Sequence, residues 1–420
     1  MSEHTATAGR LAVFLDGHDD DDLASVRIAT PTATLEREPG TDSVTIQTRM
    51  EGAPGKRNEI TAALTDAAGN TVENDTDAYV RKYDMMNDRR YDIGAHFIPQ
   101  VGAMIEGGCV GDREITGWTP QDPVPPETVS YWTDQLTGHG VGRLIYSYEG
   151  FEGSPERLRT FVDSGLFDQV RIEPEISWNT FRHAMERGQD WSVKLDNTVS
   201  LFRETVMAAD SLASYNGKPL VRMGAAHAFS YDEPRQIIED GWGGYEEFFD
   251  AIRSRLAVNG TEPFLVGGMT VVTNFNVPRI RTVAQQFDAL SNWFPPVNDH
   301  AGETYQWEEA FTDLRAGMEN LHGFASDHGM DYVPTAMAGM DDRGNQCWGP
   351  DGKRHIPIST EWFGEVLELA ETHATTGMID LATVNDIAEG HELVASRHGD
   401  TDYGTSRLKV VERFQRGEAA

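Results

Sequence analysis

An alternation that begins near residue 90 constrains this chain more than any other feature. Eight short apolar runs recur: "IGAHFIP" (93–99), "VGRLIYSY" (141–148), "QVRIEPEIS" (169–177), "KPLVRMGAA" (218–226), "PFLVGGMTVV" (263–272), "FDALSNWF" (287–294), "DYVPTAMAG" (331–339) and "GMIDLATV" (377–384). Between them lie stretches of helical periodicity near 126–138, 155–163, 193–212, 243–257, 277–286, 303–328 and 359–375. Apolar runs with helical connections predict a parallel sheet whose crossovers are the helices. Eight such units in roughly 290 residues match a (β/α)8, TIM-type barrel. An open doubly wound sheet is the alternative, but no glycine-rich phosphate loop follows the first run.

The first 85 or so residues have another texture. "LAVFLDG", "ASVRIAT", "SVTIQTRM" and "EITAALTDAAGNTVEN" are short alternating runs punctuated by Gly, Pro, Asp and Asn, with "DAAGN" as a tight turn. They predict a small all-β, sandwich-like domain over 1–88, ahead of a barrel over 89–420. With no aromatic cluster in it, this part reads as a cap rather than a carbohydrate-binding module. The acidic run Asp16, Asp19, Asp20, Asp21 and Asp22 lacks the ligand spacing of a calcium loop and reads as a solvated acidic loop.

Charge excludes one class of function. The formal net charge is −33, and only six of the basic residues are lysines. Dispersed acidic excess fits a haloarchaeon-like, high-salt cytoplasm, where screening over a few ångströms relieves self-repulsion. It argues against nucleic acid as a partner, since phosphate binding needs a basic footprint. No apolar window is long enough for a membrane span, and the N-terminus has no basic segment of a secretory leader; a cytoplasmic location is expected. Cys109 and Cys347 make no disulfide framework. No histidine pair has a third ligand beside it, so no metal is expected, and no motif asks for a cofactor.

Barrel chemistry sits where strands end. The ends of the predicted strands carry His96; Tyr146, Tyr148 and Glu149; Glu173, Glu175 and Trp178; His227 and Tyr231; Asn274 and Asn276; Asn292 and Trp293; Asp341, Asp342 and Trp348; and Asn385, Asp386 and Glu389. Acids and amides bind hydroxyls and aromatic faces stack on sugar rings, so the inventory suits a glycan. Each item also has a packing role open to it: His96 as a core histidine, Trp293 and Trp348 as half-buried rings, and the third-strand acids as partners of Arg171 or Arg182.

The last apolar run breaks into "NDIAEGHE" (385–392). Two carboxylates near one strand end are what glycoside hydrolysis requires, one protonated and one ionised. A helix start capped by Asn385 gives the same letters. Gly390 lets the chain turn sharply after the pair.

"VNDIAEGHEL" resembles the "NEWxEGTxxE" signature of glycoside hydrolase family 99 and the related WbsX-like proteins. Other segments follow the family's order. "YDIGAHFIP" is similar to its "IGxxYYP" strand, "SYNGKPLV" to "GKPV", "FDALSNWF" to "FDxxxxY", "DYVPTAMAGMDDR" to "PxxxPGYDD", and "DYGTSRLKVVERF" to its closing "YLExxxxW" helix. The likeness spans about residues 91 to 414 and leaves out the N-terminal part.

What the resemblance implies is a (β/α)8 barrel and a retaining, endo-acting hydrolase of α-linked, mannose-like glycans. The family's first Glu is base on the substrate's 2-hydroxyl, giving an anhydro-sugar, and falls on Asp386. Its general acid/base falls on Glu389, and its Asn on Asn385. His391 stands where the family has Thr, Ile387 where it has Trp, and Val394 where it has Glu. The first acid is thus one methylene short, withdrawing its carboxylate by about 1.5 Å. Substrate-binding candidates are Asn385, His96, Tyr146, Tyr148, Glu175, Trp178, His227, Asn274, Trp293, Asp341, Trp348 and His391. A WbsX-like glycan-assembly transferase and a non-catalytic glycan-binding barrel are the competing readings.

Overall fold

The structure, a computed structural model, describes residues 10–30, 34–38, 41–51, 57–79, 89–99, 113–115, 124–163, 170–293, 307–341, 355–386, 390–398 and 401–418. Cys109, Asp342, Trp348 and Glu389 lie outside the described residues, as do Cys347, Ile387 and Ala388.

The eight predicted runs are eight strands in one parallel cylinder: Asp92–Phe97, Val141–Tyr148, Arg171–Ser177, Lys218–Gly224, Phe264–Thr270, Ala289–Trp293, Asp331–Val333 continued by Thr335–Met337, and Met378–Ala382. Each pairs in parallel with its neighbour. The seventh strand is broken at Pro334, which has no N–H to give a ladder. Its first half pairs with the sixth strand and its second half with the eighth, which in turn pairs with the first, closing the barrel. The side chain of Asn292 bridges the break: Oδ1 accepts from Thr335 N at 2.8 Å and from the Tyr332 hydroxyl at 2.8 Å, and Nδ2 donates to Thr335 O at 3.0 Å. Asn292, met at a strand end, is therefore committed to the fold.

Helices follow as expected, with two additions. Trp178–Glu186 begins directly after the third strand, with Ser177 as its cap accepting from Asn179 N. Asp232–Trp242 precedes Tyr245–Leu256. The helix expected over 193–212 ends earlier, at Glu204, where the β-branched pair Thr205–Val206 passes into a short 3-10 turn. No helix among the described residues is long and apolar enough to cross a membrane.

The N-terminal part is one five-stranded antiparallel sheet built on the long strand Arg10–Ala29. The acidic run 16–22 lies within that strand and not in a loop. Asp66 and Asn70 close the expected tight turn, with Gly69 at φ +88°.

Inside the cylinder the strand period of two sorts the side chains. The second strand is buried along its whole length. Its Arg143 points inward, while Tyr146 meets Phe97 and Phe161, and Tyr148 meets Phe202, on the outer face under the helices. Midway along the cylinder Arg143, Glu173, Arg222 and Asp380 form a closed ring. Arg143 donates to Glu173 Oε2 and, at 2.9 Å, to Asp380 Oδ1; Arg222 donates to Glu173 Oε1 at 2.9 Å and to Asp380 Oδ2 at 2.5 Å. Gly94 on the first strand leaves the space: a Cβ there would lie 2.7 Å from the Arg143 guanidinium carbon. Burial works against the charge of Arg143, but Glu173, Asp380 and Asp92 outweigh it and hold that guanidinium firmly protonated. Glu173 is thus the partner of Arg143 and Arg222, while Arg171 pairs with Asp92.

Candidate functional site

Above the ring, the strand ends bring a group of polar side chains to the mouth. On the second strand, Ser147 follows Arg143 on the inner face, and Glu149 comes two residues later. On the third strand, Glu175 and Ser177 follow Glu173 in the same way. Ser147 Oγ lies 2.7 Å from Glu149 Oε1 and 2.8 Å from Glu175 Oε1. Ser177 Oγ donates to Glu149 Oε2 at 2.9 Å, and Asn179 Nδ2 donates to the same oxygen. Burial, with Glu149 and Glu173 adding to it against Arg222 and the Ser147 hydroxyl, pushes the Glu175 carboxyl up to about 7.

His96, from the first strand, stands with Nδ1 3.5 Å from Glu175 Oε2. Its ring meets Trp293 edge-on at 4.3 Å between centroids. Burial, with the charges of Arg222, Arg143 and His391 behind it, holds His96 well below the usual histidine range, so the imidazole is neutral.

The end of the eighth strand doubles back on itself. Thr383 N donates to His391 O at 2.9 Å, and Leu393 N to Thr383 O at 2.8 Å. Val384 N donates to His96 O at 2.7 Å, tying the loop to the first strand. Gly390, at φ +66°, sits against the loop after the seventh strand: a Cβ on it would lie 2.8 Å from Asp341 O. Both the turn and the close approach require glycine. Asp386 is oriented by Thr383, whose Oγ1 accepts from Asp386 N at 2.9 Å. Asp386 Oδ2 lies 3.6 Å from His391 Nε2.

The structure thus brings His96, Glu175, Trp293, Asp386 and His391 toward one end of the barrel. It assigns several other candidates differently. Asn385 is fully buried and both ends of its amide are taken: Oδ1 accepts from Ile98 N and Nδ2 donates to Ile98 O, each at 2.9 Å. It is a clasp between the first and eighth strands. Tyr146 and Tyr148 face away from the interior, because the alternation that turns Ser147 inward turns them out. Trp178 packs edge-on against Trp191 and Phe229. His227 lies in the 3-10 turn Ala226–Ser230, 6.1 Å from the Tyr231 ring, and burial lowers its basicity. Asn274 is exposed and its Oδ1 accepts from Asn276 N at 3.0 Å; it lines a cleft of about 550 Å³ with Thr273, Asp313 and Asn320. Asp341 ends a two-residue strand, Met340–Asp341, paired with His355–Ile356.

Ser147, Ser177 and Asn179 were missed in the sequence. The available signal was spacing: Ser147 with Glu149, and Glu173, Glu175 and Ser177, step by two along a face. Among the described residues no group of three or more His, Cys, Asp and Glu is placed to hold a metal ion.

No protein-family model matches the chain, and no curated protein matches it in sequence. Solved structures do match in fold. One is a GH99 endo-α-mannosidase from Bacteroides thetaiotaomicron in complex with BIS-TRIS-propane, with TM-score 0.51 and 13% identity, over 79% of this chain and 97% of that one. Another, described as a glycoside hydrolase-like protein, has TM-score 0.56 and 13% identity over 79% of this chain and 95% of that one. The chain shares the barrel of these glycoside hydrolases.

Proposed function

We propose that the chain is a carbohydrate-active enzyme: a retaining, endo-acting glycoside hydrolase of the family 99 type on an α-linked, mannose-like glycan. Glu389 is the general acid/base and Asp386 its partner base. The observation that carries this reading is the position of Asp386. It lies at the carboxyl end of the eighth strand, 7% exposed, with its amide fixed by Thr383 and its carboxylate beside His391. Barrel enzymes place their chemistry at that end, and the fold is that of a solved endo-α-mannosidase.

Glycoside cleavage requires a proton at the leaving oxygen and a base on the sugar. Asp386 supplies the base to a sugar hydroxyl, and Glu389, three residues on, supplies the proton. The shorter Asp is served by a loop stitched to the first strand through Val384 and Asn385, which fixes where its carboxylate stands.

The test is hydrolysis of a panel of α-linked oligosaccharides in multimolar salt by wild type, Glu389→Gln and Asp386→Asn. Cleavage that falls by at least two orders of magnitude in both folded variants supports the assignment. Equal rates in all three proteins, or cleavage of nothing in the panel, overturns it.

A further inference from the structure

Ser147 stands between two carboxyl groups, 2.7 Å from Glu149 Oε1 and 2.8 Å from Glu175 Oε1. A hydroxyl carries one proton and donates once. The second contact is a hydrogen bond only if the acid facing it brings a proton of its own.

The surroundings decide which acid that is. Glu149 accepts from Ser177 and Asn179 on its other oxygen, so that oxygen is already occupied by two donors. Glu175 is 4% exposed and faces Glu149 across the hydroxyl, with Glu173 two residues before it on its own strand. Arg222, the cation acting on it from the fourth strand, is already bonded to Glu173 and Asp380. The proton therefore resides on Glu175 Oε1, which donates to Ser147, which donates to Glu149.

That arrangement leaves Glu175 Oε2 as a carbonyl-type acceptor beside His96 Nδ1, at 3.5 Å. An acceptor on this side favours the tautomer with its proton on Nδ1. The contact is long, as such contacts often are before a ligand tightens them. Arg222, Arg143 and His391 are the other charged or titratable groups acting on the ring, and His96 is 1% exposed. Its Nε2 then presents a bare lone pair, and neither ring nitrogen has a hydrogen-bond partner among the described residues. A buried acceptor left open in this way is met by a ligand or by water.

We propose that His96 Nε2 accepts a hydrogen bond from a hydroxyl of the bound ligand, with its tautomer set by the chain Glu149–Ser147–Glu175. The inference rests on the glycan reading for the class of ligand, a polyhydroxylated sugar, but the tautomer does not. Trp293 stands edge-on to the same ring, 4.3 Å between centroids.

Nitrogen NMR on the full chain with labelled histidine tests it, the His96 signals being identified by their loss in His96→Gln. The expected wild-type spectrum, taken below the pH at which Glu175 ionises, shows Nδ1 protonated and Nε2 bare. Glu175→Gln, whose amide donates and accepts as the neutral acid does, keeps that pattern; Ser147→Ala, checked for fold by circular dichroism, mixes the two tautomers. Titration with a panel of monosaccharides, methyl α-D-mannopyranoside among them, shifts the Nε2 signal in wild type and needs more sugar to do so in Ser147→Ala. A wild-type His96 protonated on Nε2, or doubly protonated, overturns the proposal, and so does a bare Nε2 that no sugar moves. Absence of hydrolysis together with the predicted tautomer and shift sinks the hydrolase reading and leaves this one standing.

Discussion

Gly224 leaves open the space that the Glu175 carboxyl fills: a Cβ on Gly224 would lie 2.7 Å from Oε1. The acid is flexible in principle, but its Oε1 is held against Ser147 and its Oε2 faces His96, so it has little room to withdraw. Gly224→Ala is expected to destabilise the fold by about 1–3 kcal/mol through crowding. Urea unfolding measures it, and an unchanged midpoint would show that the carboxyl moves freely.

Glu175 also makes stability depend on pH. Its carboxyl ionises near the ordinary value of 4.5 in the unfolded chain and at about 7 in the fold. Below the first value both states hold the proton and the group contributes nothing. Between the two the unfolded chain releases its proton and the fold does not, so stability falls as pH rises; above the second the cost is constant, roughly 3 kcal/mol for a shift of that size. Glu175→Gln removes this dependence. The stability of the variant relative to wild type should therefore climb from pH 4.5 to 7 and then level off, in unfolding curves taken across that range.

The ring of Arg143, Glu173, Arg222 and Asp380 should be intolerant of single changes. Asp380→Asn leaves two buried guanidiniums with Glu173 as the one carboxylate of the ring and is expected to cost about 3–5 kcal/mol. Arg222→Met combined with Asp380→Leu should cost less than the sum of the separate changes, because each partner no longer strands the other. Additive costs in a double-mutant cycle would mean the four groups act independently.

Gly390→Ala places a side chain at φ +66° and against the backbone oxygen of Asp341. The strain of such a residue is about 1–3 kcal/mol. It falls on the loop carrying Asp386, so activity against any cleaved glycan should drop more than ten-fold while the melting temperature shifts by only a few degrees. A variant with full activity would show that the loop's path does not depend on this turn.

The eight strands were legible because each is a short apolar run with turn residues around it. The facing of their side chains was not. In the second strand Tyr146 and Tyr148 have the same spacing as Ser147 and Glu149, and the whole strand is buried, so no polar side marks the interior. The aromatic pair looked like a sugar platform and belongs to the helix-packing layer; the serine and acid look like loop residues and line the mouth. The ionic ring was hidden for a related reason, since its members come from four strands and one needs Gly94 opposite it. Asn292 and Asn385 were legible as polar residues at strand ends, but not as backbone clamps, which depends on which carbonyls and amides the closing strands leave open.

The ring also bears on how the barrel assembles. Asp380 belongs to the last strand of the cylinder, which docks between the seventh and the first. Without it, Arg143 and Arg222 keep Glu173 as the one carboxylate of the ring, and the second hydrogen bond of each guanidinium has no acceptor. A buried guanidinium left short of an acceptor in this way is better hosted by water than by the protein. The final strand therefore closes the hydrogen-bond ladder and supplies the second carboxylate of the ring with the same residues, so the backbone seam and the ionic ring are completed together.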